Sequence, residues 1–120
     1  MVTSRKPQEK YGVVSVTTIK GESVINREDE KLGKIDELMI DANSGHLAYA
    51  VLSFSGNHYA VPWSAFEFAN TEKKLILNVD QEKLKAAPGF EKNGPWPDFA
   101  DRAWGDEIHK YYSSRPYWGD

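Results

Sequence analysis

The chain contains no cysteine. That absence excludes a disulfide framework, a thiolate nucleophile and a sulfur-ligated metal, and it fits a reducing compartment, so the expected location is the cytoplasm. Long apolar runs are missing too. Nowhere do about 18 apolar residues follow one another, as a membrane-spanning helix needs, and Met1–Lys10 is polar and charged with no apolar signal segment, so no membrane insertion is expected. Positive charge is not in excess: 15 Lys and Arg stand against 18 Asp and Glu, a net charge of −3, and the basic residues are scattered. Nucleic acid is excluded as an expected partner, because binding it relies on clustered cations that neutralise phosphates. Catalytic motifs are absent as well: Ser53, Ser55 and Ser64 sit in no glycine-flanked nucleophile elbow.

What is present is a chain of 120 residues, long enough for one domain that buries roughly two-thirds of the surface of its unfolded form. Three parts can be distinguished. Residues 1–12 form a polar lead expected to be disordered, because its few apolar groups cannot offset the entropy of ordering it. Residues 13–90 form a β-rich core, and residues 91–120 an aromatic-rich helical tail that packs on the core or on a partner subunit.

The core reads as about six strands, because short runs of Val, Ile, Leu and Tyr are separated about every 8–12 residues by turn residues or charge clusters. Ser23–Asn26 is the first, followed by the charged loop Arg27–Lys31. Leu32–Asp41 breaks parity, with Ile35 facing one way and Leu38 and Ile40 the other, so a bulge is predicted near Asp36 and Glu37. Asn43, Ser44 and Gly45 make a tight turn into Leu47–Leu52, which is apolar on both faces and must be covered on both sides. His58–Val61 follows the turn Ser55–Asn57 and is ended by Pro62; Trp63–Ala65 then makes a helical turn before Phe66–Phe68. Lys74–Val79 closes the set with Leu75, Leu77 and Val79 inward, and Gln81–Ala87 is a short helix stopped by Pro88 and Gly89.

The tail is dense in rings: seven of the fifteen aromatic residues lie between Trp96 and Trp118. Asp98 is the expected helix N-cap, with Asp101 favourable in the first turn. Trp104, Ile108, Tyr111 and Tyr112 fall at i, i+4, i+7 and i+8, one apolar stripe that Gly105 weakens. Pro116 ends the helix and leaves Tyr117 and Trp118 as a terminal hook.

The block from Gly21 to Trp63, with its central stretch EKLGKIDELMIDANSGHLAYAV and the run VPW, resembles the PRC-barrel domain family. The likeness covers about Val16 to Val79, and the tail sequence WPDFADRAWGDEIHKYY is similar to extensions that follow stand-alone members. It implies a mainly β fold, a small antiparallel PRC-type β-barrel with a C-terminal helix, and a mediator of protein contacts rather than a catalyst. The family includes the cytoplasmic domain of the photosynthetic reaction centre H subunit and the C-terminal domain of the ribosome maturation factor family. The membrane helix of the one and the preceding barrel domain of the other are missing here, so neither specific role carries over.

Each candidate site has a plainer reading beside it. His46, His58 and His109 invite a metal, but His46 lies at the far end of the strand that pairs with His58, more than roughly 20 Å away at about 3.3 Å per residue, so all three are read as exposed histidines. Asp41, Asn43 and Gly45 mimic the start of a calcium loop, yet the position of its closing glutamate is Leu52, and a hairpin turn is the better reading. No cofactor or metal is expected. Stacking of nucleic acid on the tail rings is disfavoured, because Asp98–Asp120 holds five acids against three bases. The candidate interface is Trp104, Ile108, Tyr111, Tyr112, Tyr117 and Trp118, residue types enriched where proteins meet. The expected function is self-association, with a dimer favoured, and docking onto an unidentified protein. The alternatives are a small-molecule barrel whose mouth is lined by Tyr49, Tyr59 and Trp63, and an assembly factor for a photosynthetic or ribosomal complex.

Overall fold

The computed structural model of the chain describes residues 15–69, 74–116 and 118. The polar lead and Tyr117 lie outside them. After a single helical turn α1 (Val16–Ile19), the strands are β1 (Ser23–Ile25), β2 (Lys31–Asp41), β3 (His46–Phe54), β4 (Asn57–Pro62), β5 (Phe66–Ala69), β6 (Lys74–Leu77) and β7 (Gly89–Phe90). A 3-10 turn, Trp63–Ala65, joins β4 to β5, helix α2 (Gln81–Ala86) follows β6, and helix α3 (Arg102–Tyr111) lies in the tail.

The fold is mainly β, but it corrects the expectation of a six-stranded antiparallel barrel. Seven strands form one mixed sheet in the order β5-β6-β1-β2-β3-β4-β7, with β5 and β7 at its two edges. The pair β1–β6 is parallel, Val24 opposite Leu75 and Ile25 opposite Ile76. Parallel neighbours need a long connection, and the whole β2–β5 segment supplies one. The seventh strand has only two residues, Gly89 and Phe90, too few for any periodicity. Both pair with β4.

Between those edges the strand spacing holds. β2 meets β3 antiparallel, and the register shifts between Ile35 and Glu37, which puts a bulge at Asp36; a second shift lies between Met39 and Ile40. Gly33, with φ +101°, is required in β2: a Cβ there would stand 2.0 Å from the Ser53 carbonyl oxygen. β3 is buried from Ala48 through Leu52, on both of its faces. One face joins Leu32, Ile35, Val61, Leu75, Leu77 and Leu84 in the core. The charged loop after β1 is organised by the buried Asn26, whose side-chain oxygen accepts from the Glu28 and Glu30 amides while its Nδ2 donates to Val79 O (3.1 Å) and Glu30 Oε1 (2.7 Å).

Candidate functional site

The second face of β3 is where tail and sheet meet. Tyr49 alternates away from the aliphatic side of β3, and its ring is fully buried. Around it stand Phe99, Trp104 and His109, with ring centroids at 5.7, 5.2 and 5.4 Å. Tilted pairs of this kind add about 0.5–1.5 kcal/mol each beyond the area they bury. The covering of β3 that its two-faced pattern demands thus comes from the same chain.

Helix α3 can approach so closely because of Gly105. A Cβ there would lie 2.7 Å from Tyr49 Oη and 2.7 Å from Trp118 Cη2. The glycine that costs helix propensity therefore permits the docking. Its carbonyl accepts from His109 Nδ1 at 2.7 Å, which holds the imidazole against the helix and fixes the proton on Nδ1. Trp118 packs edge-on to His109 at 5.3 Å, and the Arg102 guanidinium lies 4.8 Å from the Trp118 ring centroid.

The helix starts one turn later than expected. Asp101 is the N-cap and accepts from the Ala103 amide. Asp98 instead accepts from the Ala100 amide at 3.0 Å, closing a turn that places Phe99 against Tyr49 and, at 5.2 Å, Trp104. The demand of the Phe99 ring for this cluster outweighs the capping preference of Asp98.

Two of the three histidines are buried, contrary to the expectation of exposure: His58 is 5% and His109 1% exposed. His58 faces the tail side of β4, where the rings of Phe90 (6.0 Å) and Trp96 (6.2 Å) cover it. Its Nε2 donates to Asp36 Oδ2 at 2.8 Å, so the bulge residue of β2 supplies the acceptor that makes this burial tolerable. His46 remains at the exposed far end of β3. Asp41, the first residue of the calcium-like triplet, accepts from the Asn43 amide and the Ser44 hydroxyl, as a hairpin turn requires. Among the described residues no three His, Cys, Asp or Glu side chains gather in a way that could hold a metal ion.

The other sequence-derived candidates fall in three groups. Ile108 and Tyr112 are buried, and Trp104, Tyr111 and Trp118 half-buried, so much of the apolar stripe is spent inside the chain. Tyr111 donates its hydroxyl to the Lys83 carbonyl at 2.6 Å, tying α3 to α2. Tyr49 and Tyr59 do not line a mouth: they are 0% and 3% exposed, because the tail covers the first and the core the second. Trp63 is half-buried beside Phe66, at 5.7 Å between rings, and packs against the core. Burial drives the Tyr112 phenol well above the usual tyrosine range, with Tyr111 and Tyr59 adding to the effect.

The exposed apolar feature of the tail is one the stripe did not include. Trp96, 36% exposed, stands between Pro95 and Pro97 and forms, with Phe90, Trp104 and Pro88, a groove of about 220 Å³ on the outer side of β4 and β7. The signal was readable in Pro95–Trp96–Pro97, since two prolines restrict the backbone around the indole and keep it out of a helix. Its Nε1 donates to the Lys92 carbonyl at 2.8 Å, which fixes the ring.

Among known protein families, the PRC-barrel domain matches residues 12–84, more than half of the chain. No curated protein matches it. The match ends within α2, so β7, α3 and every residue lining the groove except Ala60 lie beyond it.

Proposed function

This chain belongs to the PRC-barrel domain family, and from that premise we propose that it is a non-catalytic interaction module that self-associates and docks onto a protein partner through the Trp96 groove. The observation that carries the reading is the groove itself: a half-exposed tryptophan, held by a hydrogen bond and flanked by prolines, on a rigid sheet. Tryptophan in a preformed pocket is the residue type that dominates binding energy where proteins meet, and its fixed ring loses little entropy on association. The described residues include no helix long and apolar enough to cross a membrane. Together with the absence of cysteine, this supports the cytoplasm as its place of work. A small-molecule barrel is the weaker reading, since Tyr49 and Tyr59 are enclosed by packing.

Light scattering on the full chain and on a Trp96→Ala variant tests this. The expected result is a dimer that shifts towards monomer in the variant, with the dissociation constant raised about tenfold or more, as loss of a tryptophan anchor gives. A wild-type chain that stays monomeric up to millimolar concentration would remove self-association, and an unchanged dimer would move the interface away from Trp96.

A further inference from the structure

Trp96 bounds two features at once. In its groove the Phe90 ring stands 5.0 Å away between centroids, and Trp104 and three prolines complete an apolar lining. The same indole also borders a cleft of about 520 Å³, whose other walls include Lys20 after α1, Lys34, Asp36 and Glu37 of β2, and Lys92. One feature is apolar, the other charged, and a single ring joins them.

Within the cleft the carboxylates are already engaged. Asp36 accepts from His58 at 2.8 Å, and Glu37 pairs with Lys20 at 3.4 Å. Lys34 and Lys92 are exposed and make no ion pair with any described residue. Two unmatched cations thus share one cleft of a chain whose net charge is −3. Both are rooted in fixed backbone. Lys34 lies in β2 opposite Ser53 of β3, and the Lys92 carbonyl accepts from Trp96 Nε1 at 2.8 Å, which ties this cation to the anchor ring.

We propose that the Trp96 groove and the lysine cleft form one docking surface for an extended segment of a partner protein, in which an aliphatic or proline side chain stands next to acidic side chains. The inference rests on the docking role of Trp96 given above and adds the chemistry of the partner. At about 220 Å³ the groove falls short of the roughly 300–1,000 Å³ of a small-molecule pocket and suits an anchoring side chain. Rings and prolines offer it apolar contact without a polar demand. Lysine heads are point charges that attract carboxylates without imposing one geometry, so the cleft selects for negative charge and steers its approach. A peptide chain is what can place an apolar group and carboxylates on the two sides of one indole.

The test is selection of a randomised phage-displayed peptide library on the full chain, followed by fluorescence anisotropy with the enriched peptide. Enrichment of an aliphatic or proline position flanked by Asp or Glu is expected, with binding that weakens as NaCl is raised. Lys34→Ala and Lys92→Ala should each lower affinity about two- to fivefold, and the double reversal Lys34→Glu with Lys92→Glu about tenfold or more. Because neither lysine pairs with a described residue, the melting temperature should stay unchanged in these variants. Trp96→Ala should lose about tenfold or more. Peptides with an apolar anchor but no acidic residues, or acidic peptides that bind the double reversal as well as the parent, would overturn the inference and leave docking at Trp96 standing. A library that yields nothing, from a chain that dimerises through Trp96, would assign the groove to a second copy and overturn it as well. Peptides bound equally by Trp96→Ala, or no peptide from a monomeric chain, would sink both readings.

Discussion

The family-matching sheet and the tail beyond it are held by different physics. From β1 to β6 the structure rests on ladder hydrogen bonds and a core of Val, Ile and Leu, in which each residue answers to its own neighbours in sequence and to the period of the strand. Among the described residues from Glu91 to Trp118 there is one ten-residue helix, and the others are irregular chain pinned by rings: Trp96, Phe99, Trp104 and Trp118 gather around Tyr49, His58 and His109. The difference teaches where aromatic composition can mislead. Residue types that mark interfaces are here largely consumed in covering the second face of β3, and among the described rings of the tail Trp96 alone is exposed.

Removing the junction itself should have the largest effect. Tyr49→Ala deletes the fully buried ring on which both regions close and is expected to cost about 3–5 kcal/mol, read by urea unfolding followed through tryptophan emission. A loss below about 1 kcal/mol would mean that the tail does not depend on the sheet in this way.

Gly105→Ala sets local preference against packing. Helix propensity alone predicts a gain of about 1 kcal/mol. The 2.7 Å approaches to Tyr49 and Trp118 predict a net loss of about 1–2 kcal/mol instead, and the sign of the change in thermal stability separates the two.

The far end of the tail can be probed by pH. The folded state holds the Tyr112 phenol above its usual value, so the unfolded chain gives up this proton first. Stability is therefore full below about pH 10, the ordinary tyrosine value, and declines above it, by about 1 kcal/mol at pH 11. Tyr112→Phe should remove that part of the decline; an identical alkaline profile in the variant would show that Tyr112 titrates as it does in solvent.

Smallest is the capping test. Asp101→Ala should cost about 1 kcal/mol and Asp98→Ala less than half as much, because Asp101 caps α3 and Asp98 only closes the preceding turn. The reverse order would place the helix start at Asp98.

The same division explains what could be read from the sequence. The bulge at Asp36, the two-faced burial of β3, the stop at Pro62 and the helical turn at Trp63 were legible because each follows from parity or from proline within a few residues. The parallel pairing of β1 with β6 and the two-residue β7 were not, since both depend on partners remote in sequence and leave no period. His58 and His109 looked exposed because nothing near them in sequence names Asp36, Phe90 or Tyr49 as neighbours. The stripe Trp104, Ile108, Tyr111 and Tyr112 was found correctly as a helical face, but its use inside the chain depended on the gap that Gly105 leaves.

The central claim, that the aromatic tail closes on the sheet of its own chain and leaves the Trp96 groove outward, is tested most directly by isotope-filtered NMR. A mixed sample of labelled and unlabelled full-length protein separates contacts within one chain from contacts between two. Ring-to-ring cross-peaks of Tyr49 with Trp104 and Phe99 should occur only within a chain, with any intermolecular peaks arising from Trp96 and its groove. Tyr49–Trp104 peaks that appear between chains would contradict the account, because the tail would then be exchanged between partners.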